Sequence, residues 1–538
     1  MKKEIAKIKE RIIELGAGNY DLVYEVGHAV WSYAELARNE YRSAYFLTRK
    51  LESLGYTVER GVGGFPTGFI ASFKNGDGPV IGLICEYDAL PGLSPTHPGE
   101  PGHGCGHCLY AAGAVGSAAL LKKIMEENDI RGTIKVFGTP AEENLGAKQF
   151  YVRQGLLEGV DAIFSTHPHI FNGVFFSAHN AIISKYYRFY GSPSHAGSMP
   201  EKGRSALDAL ELMNIGIQFL REHVTSDVRI HYLITNSGEA PNIVPAFAEG
   251  VYLMRAQQAD ALADVARRVD LVAQGAAMMT EVRVESEFQQ QYANVILNRT
   301  FTEIAYKNVQ LVGPAAYDEE DQRTAREMGF ANGIDPALSP LPPVQGFHGG
   351  ASDEGDISWF VPMTRICMRI SPAETPNHSV IRARQADLPA AYKAVTQTCK
   401  AVACTAVDLL LDLELLKAVK EDYQKSVAGR EYPSDGMIYP KISTFPDAPG
   451  FALTDARTLS VCLEKTVLLQ DRRDVTVLVY KDDAMIGSVR AETPESTVQI
   501  PLEVELKPGD VLTLRYRCSG DAESTLLGYF QHALASLA

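Results

Sequence analysis

The sequence lacks an excess of positive charge. Its 51 Lys and Arg stand against 66 Asp and Glu, a formal net charge of −15. A general nucleic-acid binder carries a basic face, and anionic membranes attract basic segments, so neither nucleic acid nor membrane is expected as a partner. The substrate stays open, because a cleft can carry a local field opposite to the global one. Also missing is an apolar run of the roughly 18 or more residues that suggests a transmembrane helix. The N-terminal MKKEIAKIKERIIELG is a charged amphipathic helix, without the apolar core and small-residue cleavage site of a signal peptide. The eight cysteines, Cys85, Cys105, Cys108, Cys367, Cys399, Cys404, Cys462 and Cys518, are scattered except for the pair at 105 and 108. That is not the framework of a disulfide-stapled secreted domain. A cytoplasmic location is the expectation. Internal repeats and low-complexity tracts are absent too.

What is present is ordinary globular composition, 46% hydrophobic and 22% charged over 538 residues. At about 150 residues per domain, such a chain divides into several domains. From Tyr20 to Leu54 the apolar spacing is helical. Tyr56–Glu59, Gly68–Phe73 and Pro79–Cys85 read as strands between glycine turns. The last opens PVIGLICEYDALPGL, a continuous apolar run ending in acids, which fits a buried strand whose C-terminal end faces a site. A glycine-rich loop, GEPGHGCGHC, leads into the alanine-rich helix LYAAGAVGSAALLKKIMEEN. GTIKVFGTPAEEN repeats strand, turn and acids, and DAIFSTHPH repeats the design with histidines. Helices alternating with apolar strands define an α/β class. Chemistry just beyond strand ends is where such sheets bind ligands.

The segment 183–295 changes character. KYYRFYGSPSHAG and VRIHYLITNSG alternate like half-buried strands, and two amphipathic helices separate them from further strands. It reads as an α+β domain inserted in the α/β domain, whose two parts are 1–182 and 296–424. The second part ends in a long helix, Leu388–Lys420. From Lys425 a turn-rich linker leads to period-two alternation in RDVTVLVYKDDAMIGSVRAE and STVQIPLEVELKPGDVLTLRYRC. The 425–538 region is therefore expected to be a linker and a small β-sandwich-like accessory domain.

The strongest chemical signal is a set of metal-ligating side chains just after these strands. Cys105 and His107 sit one residue apart in a loop where Gly104 and Gly106 remove steric obstacles. Thiolate and imidazole suit zinc. Glu142 and Glu143 are adjacent, so on an extended segment one faces a metal and the other the substrate or water. His167 follows the next strand, and His378 follows the apolar strand TRICMRI. Two ions about 3.5–4 Å apart polarise a carbonyl and acidify a water, and a neighbouring carboxylate takes the proton and returns it to the leaving amine. Glu142 is placed for that role. His28, His97, His179, His223, His231 and His532 read as surface or hydrogen-bonded residues, and His103, His169 and His348 as structural or supporting ones. CGHC is also the tetrapeptide of disulfide isomerases, with Cys105 as nucleophile and Cys108 as resolving thiol. There a strand and an aromatic residue directly precede the motif, whereas here PGEPGHG does.

From about 20 to 415 the chain resembles the aminoacylase/amidohydrolase metallopeptidases, and most of all their aminobenzoyl-glutamate hydrolase branch, of the B-subunit type. WSYAELARNEYRSA, ERGVGGFPTGFIASF, GLICEYDALPGL, GHGCGHC, GTPAEEN, THP, GSPSHAG, PNIVP, ASDEGDISW and PNHSV carry the likeness, in the family's order. The resemblance implies an α/β zinc-peptidase catalytic domain with an inserted dimerisation lid, and two divalent ions, zinc or manganese. It implies Cys105, His107, Glu143, His167 and His378 as metal ligands, Cys105 bridging, and Glu142 as general acid/base. Asp88 would support the site from behind its histidine. His195 would stabilise the oxyanion, often across a dimer, and Asn242 would reach the substrate. The expected reaction is hydrolysis of the amide bond of an N-acyl or N-aroyl amino acid by a homodimer or higher oligomer. A dipeptidase and a non-catalytic partner subunit are the alternatives. Two positions depart from relatives: Glu86 stands where many outside this branch carry a metal-binding histidine or an arginine, and Cys108 where Asp or Asn is usual. The β-rich tail has no counterpart in the family.

Overall fold

Val80–Cys85, Ala162–Ser165 and Met363–Cys367 are short strands with nearly every residue buried. Strands buried on both faces need no polar alternation, because helices or loops cover each side. A computed structural model describes residues 2–432 and, beyond them, the segments 451–455, 458–462, 475–481, 484–491, 497–503, 511–518 and 525–531. The three strands belong to a seven-stranded sheet in the order Thr57–Arg60, Phe69–Asn75, Gly132–Gly138, Val80–Cys85, Ala162–Ser165, Met363–Cys367, Gly173–Val174. The central four run parallel; the outer ones are antiparallel to their neighbours. Period-two alternation divides the sheet between two cores. Ile81, Leu83 and Phe164 pack with the helices His107–Glu127 and Pro389–Leu411, while Ile84, Phe137 and Ile163 pack with the Val62–Tyr151 side.

Those two helices are long and apolar enough, by length and composition, to cross a membrane, yet the apolar window of each is 83% buried inside the protein. They lie against each other and form the centre of the larger core. The helical stretch expected from Tyr20 to Leu54 is two helices, Tyr20–Tyr33 and Tyr41–Ser53. Ala34, at φ +43, ends the first. The intervening turn carries Glu40, whose buried carboxylate binds backbone elsewhere. Likewise, the helix expected over Leu388–Lys420 is Pro389–Leu411 followed by Leu413–Val427. Asp412 separates them and caps the second by accepting from the Leu415 N–H. Helix thus continues into the stretch expected to be a linker from Lys425, and residues 433–450 of that stretch lie outside the described residues.

A second, antiparallel sheet has the order Arg283–Tyr292, Ala181–Tyr190, Phe247–Ala256, Arg229–Asn236. Helices Ala206–Leu220 and Ala259–Thr280 pack on it around Tyr187, Tyr252, Leu210, Met213 and Val269. This is the lid layer. Its edge strand Arg229–Asn236 does not alternate as VRIHYLITN suggests: Ile230 is buried and the rest are exposed, Leu233 by 63%. Among the described residues it pairs with one strand, Phe247–Ala256. Further along, a three-stranded and a four-stranded antiparallel sheet form the β-rich accessory region, with Val477, Val479, Ile500 and Leu512 fully buried.

Candidate metal centre

The parallel strands end on one rim, and the loops leaving that rim carry the chemistry. After Cys85 come Glu86 and Asp88, after Gly138 the turn with Glu142 and Glu143, and after Ser165 His167. Cys105 lies in the loop before helix His107–Glu127, and His107 is that helix's first residue. Gly106 between them has φ +99, and a Cβ there would come within 2.9 Å of Pro168. Glycine is what lets Cys105 and His107 turn to the same side. His378 reaches the rim on its own loop, where its N–H donates to Gly104 O (3.2 Å), and it holds φ +51. Ala141, before the two glutamates, holds φ +60. Non-glycine residues in this region are strained, and such strain collects where the surroundings over-determine a site.

The donor atoms of Cys105, His107 and His167 lie within 4.8 Å of one another, as do those of Cys105, Glu143 and His378. The two triads share the Cys105 sulfur, so the geometry offers two candidate cation positions, which would share that sulfur as a ligand. A third group joins His107, Glu142 and Glu143. All five ligands that the resemblance implied therefore come together, and Glu142 stands beside them without sharing a triad with Cys105. The two glutamates do not face opposite sides as an extended segment would require. Residues 142–145 form a turn, and both carboxylates line one cavity of about 370 Å³ with Cys105, His167 and His378.

The donor set fits divalent cations on its electrostatics. Glu143 Oε1 and His107 Nε2 are buried and make no hydrogen bond, the latter lying 3.2 Å from the Glu86 carboxylate. Buried polar atoms of this kind need a partner. Burial pushes the Glu143 carboxyl up to about 8, with Glu142 and Asp88 adding to the rise against the pull of His107. Burial pushes the Cys105 thiol up to about 12, with Glu143 adding to it. Burial opposes charge on His107, but Cys105, Asp88 and Glu86 outweigh it and hold its pKa well above the usual. Burial and Arg365 push His167 well below. Acids concentrated away from water are the setting a cation resolves. The same burial argues against disulfide exchange, which needs a low-pKa exposed thiol; Cys108 is fully buried.

Asp88 lies behind the centre, its Oδ1 2.8 Å from His107 Nδ1 and its Oδ2 accepting the Glu143 N–H at 2.9 Å. That leaves His107 Nε2 to face the donor cluster, where Glu86 Oε2 lies 3.2 Å from it. Arg382, fully buried, donates to Ser371 Oγ and to Pro168 O (3.3 Å), joining the loops of His167 and His378. His195 and Asn242 are not brought to this cavity. They sit side by side on the lid, where the Ala196 N–H donates to Asn242 O (2.9 Å), and both are exposed.

Several residues at the site carried no assignment from the sequence. Lys148 Nζ lies 2.8 Å from Glu86 and 2.5 Å from Asp353, all three buried. The hydroxyls of Tyr110 and Ser165 converge on Glu354 Oε1 at 2.5 and 2.6 Å, and Arg365 pairs with the other oxygen. Burial opposes charge on Glu354, but Arg365 and Lys148 hold its carboxyl down at about 2. Glu86, Asp353 and Glu354 lie in the family-like segments, where position alone gave them no role; Lys148 had no signal of its own. His169 and His179, read as structural or surface residues, line the cavity with Phe175. The His169 and His179 rings lie 5.6 and 5.2 Å from the Phe175 ring.

A sheet whose central parallel strands carry, at their C-terminal rim, two donor triads sharing one cysteine sulfur and an adjacent carboxylate is the framework of a metal-dependent amidohydrolase. Comparison with known proteins gives the family. The model of peptidase family M20/M25/M40 matches residues 82–371. Over 470 residues the chain is 35% identical to the B-subunit of the p-aminobenzoyl-glutamate hydrolase of Escherichia coli K12, covering 80% of this chain and 97% of that one. It is 30% identical to the Xaa-Arg dipeptidase of Mus musculus, over 78% of this chain and 93% of that one. Among solved structures, a dinuclear metal-binding peptidase of family M20 from Bacillus subtilis shares the fold, with TM-score 0.50 and 20% identity, over 73% of this chain and 99% of that one. The chain belongs to peptidase family M20/M25/M40.

Proposed function

We propose that this protein hydrolyses the amide bond of N-acyl and N-aroyl amino acids, with aminobenzoyl-glutamate as the first substrate to test, and that its two ions are zinc. The observation that carries the reading is the pair of donor triads on Cys105 with the Glu142 carboxylate beside them in one cavity. The amino-acid amide and the aroyl group come from the relative that hydrolyses p-aminobenzoyl-glutamate. Phe175, flanked by the rings of His169 and His179, offers a planar wall suited to an aromatic acyl group. Thiolate and imidazole favour zinc, with manganese the alternative when availability selects it.

Cys105, His107, His167, Glu143 and His378 would hold the ions. When bound, these supply Lewis-acid polarisation of the scissile carbonyl and a more acidic water. Glu142 takes a proton from the attacking water and delivers it to the leaving amine nitrogen. Asp88 keeps His107 in the orientation that presents Nε2. His195 would stabilise the oxyanion and Asn242 would contact the substrate. Both are exposed on the lid, so we assign their action to a dimer in which the lid of one copy meets the site of the other. The exposed apolar side chains of Tyr232, Leu233 and Ile234 on the lid's edge strand support pairing of copies there. A cytoplasmic location is part of the proposal, supported by cysteines scattered without a disulfide framework.

The experiment is turnover of a panel of N-acyl and N-aroyl amino acids and dipeptides by metal-reconstituted protein, wild type and Glu142→Gln. The variant should lose at least about 10²-fold in kcat while keeping its metal. Full activity in it removes Glu142 from the mechanism. Preference for free α-amino dipeptides turns the reading into a dipeptidase. Activity only on addition of a second, homologous protein makes this chain one part of a larger enzyme.

A further inference from the structure

The peptide unit joining Glu142 to Glu143 connects the proposed base to a proposed metal ligand, and it is gripped at both ends. Its N–H, from Glu143, donates to Asp88 Oδ2 at 2.9 Å. Its C=O, from Glu142, accepts from the Tyr292 hydroxyl at 2.6 Å. One residue earlier, the Ala141 N–H donates to Glu40 Oε1 at 2.8 Å, and Ala141 O closes the turn by accepting from the N–H groups of Leu145 (3.1 Å) and Gly146 (2.7 Å). The Tyr292 ring is built into this turn. A Cβ on Gly146, which holds φ +77, would lie 2.3 Å from Tyr292 Cε1. Gln290 donates its side-chain N–H to the Tyr292 oxygen, so the hydroxyl's own proton is left to point at Glu142 O.

We infer that Tyr292 is a positioning residue that acts through Glu142. Glu142 and Glu143 project from the two Cα atoms that this peptide plane joins, so fixing the plane fixes the turn from which both carboxylates leave, and Asp88 alone holds only its N–H edge. Tyr292 holds the other. It is also the last residue of Arg283–Tyr292, the outer strand of the lid sheet, where Tyr292 pairs with Ile182. The chain leaving it enters the catalytic layer at once, with the Ile296 N–H donating to Ser358 Oγ at 2.8 Å. The hydroxyl that orients the base is therefore carried by the lid, and the lid's seating is felt at the base through one hydrogen bond.

This inference rests on Glu142 being the base, and a double-mutant cycle separates the two claims. Tyr292→Phe keeps the ring against Gly146 and deletes only the hydroxyl. It should lower kcat about tenfold, within the ~10²-fold cost of a 1 Å misplacement, with KM and bound metal within about twofold of wild type. In the Glu142→Gln background the same change should leave the residual rate unaltered, because the group it positions is gone. Gln290→Leu, which removes the donor that aims the phenol, should lower kcat in the same direction and guards against misfolding of the first variant. Full kcat in Tyr292→Phe beside an inactive Glu142→Gln overturns the tie alone. An equal loss in both backgrounds, or a loss carried by KM or metal content, makes Tyr292 merely structural and overturns it too. Full activity in Glu142→Gln overturns the base and the tie together.

Discussion

Replacing Lys148 by Met should destabilise the protein more than any single surface change. Lys148 is fully buried with one ammonium between two buried carboxylates, Glu86 at 2.8 Å and Asp353 at 2.5 Å. Breaking a buried ion pair by removing one partner costs about 3–5 kcal/mol, because the charge left behind has lost both water and counter-ion. An unfolding entropy of about 2.1 cal/mol/K per residue, over the roughly 430 residues of the catalytic and lid layers, amounts to about 0.9 kcal/mol/K. The melting temperature should then fall by about 3–6 °C. Lys148→Met/Asp353→Asn should recover part of the loss, since one stranded carboxylate becomes a neutral amide of the same shape. Recovery stays partial because Glu86 remains without Lys148. The assay is differential scanning calorimetry of the metal-loaded protein for wild type, single and double variants. A fall under about 1 °C in the single variant, or a double variant no more stable than the single, refutes the reasoning.

Two further outcomes follow from the cavity. Cys105→Ser removes the donor common to both triads, so it should lower the occupancy of both ions together; elemental analysis after dialysis checks this, and loss of one ion alone would contradict a shared ligand. Phe175→Ala should raise KM for N-aroyl substrates about tenfold more than for short N-acyl ones, the worth of about 1.4 kcal/mol for a stacked ring; parallel steady-state kinetics on the two substrate sets checks it, and equal effects on both would remove Phe175 as the aromatic wall.

Much of the site was legible because metal ligands declare themselves by type. Cysteine and histidine one residue apart, flanked by glycines, and acids or histidines after three apolar strands have few structural uses in common. The candidate donors Cys105, His107, Glu143, His167 and His378 were therefore named from residue type and the family resemblance before any contact was known, and the fold brings them together. The counter-ions were not. A lysine in GAKQF resembles any surface lysine until strand packing buries it against Glu86 and Asp353. Arg365, inside an apolar strand, reveals its purpose only through Glu354. His179 looked like a surface residue because one sequence position says nothing about which cavity its loop borders.

By itself, the sequence determined the α/β class, the order of strands and site loops along the chain, and which side chains are candidate cation donors, since these follow from local periodicity and side-chain type. Tertiary structure alone decided that Glu142 and Glu143 turn into the same cavity and that Tyr292 of the lid holds the peptide between them. It also left His195 and Asn242 outside that cavity. The physical reason is distance along the chain: periodicity acts over a few residues, whereas hydrogen bonds such as Tyr292 to Glu142, 150 residues apart, exist only once separate layers have packed.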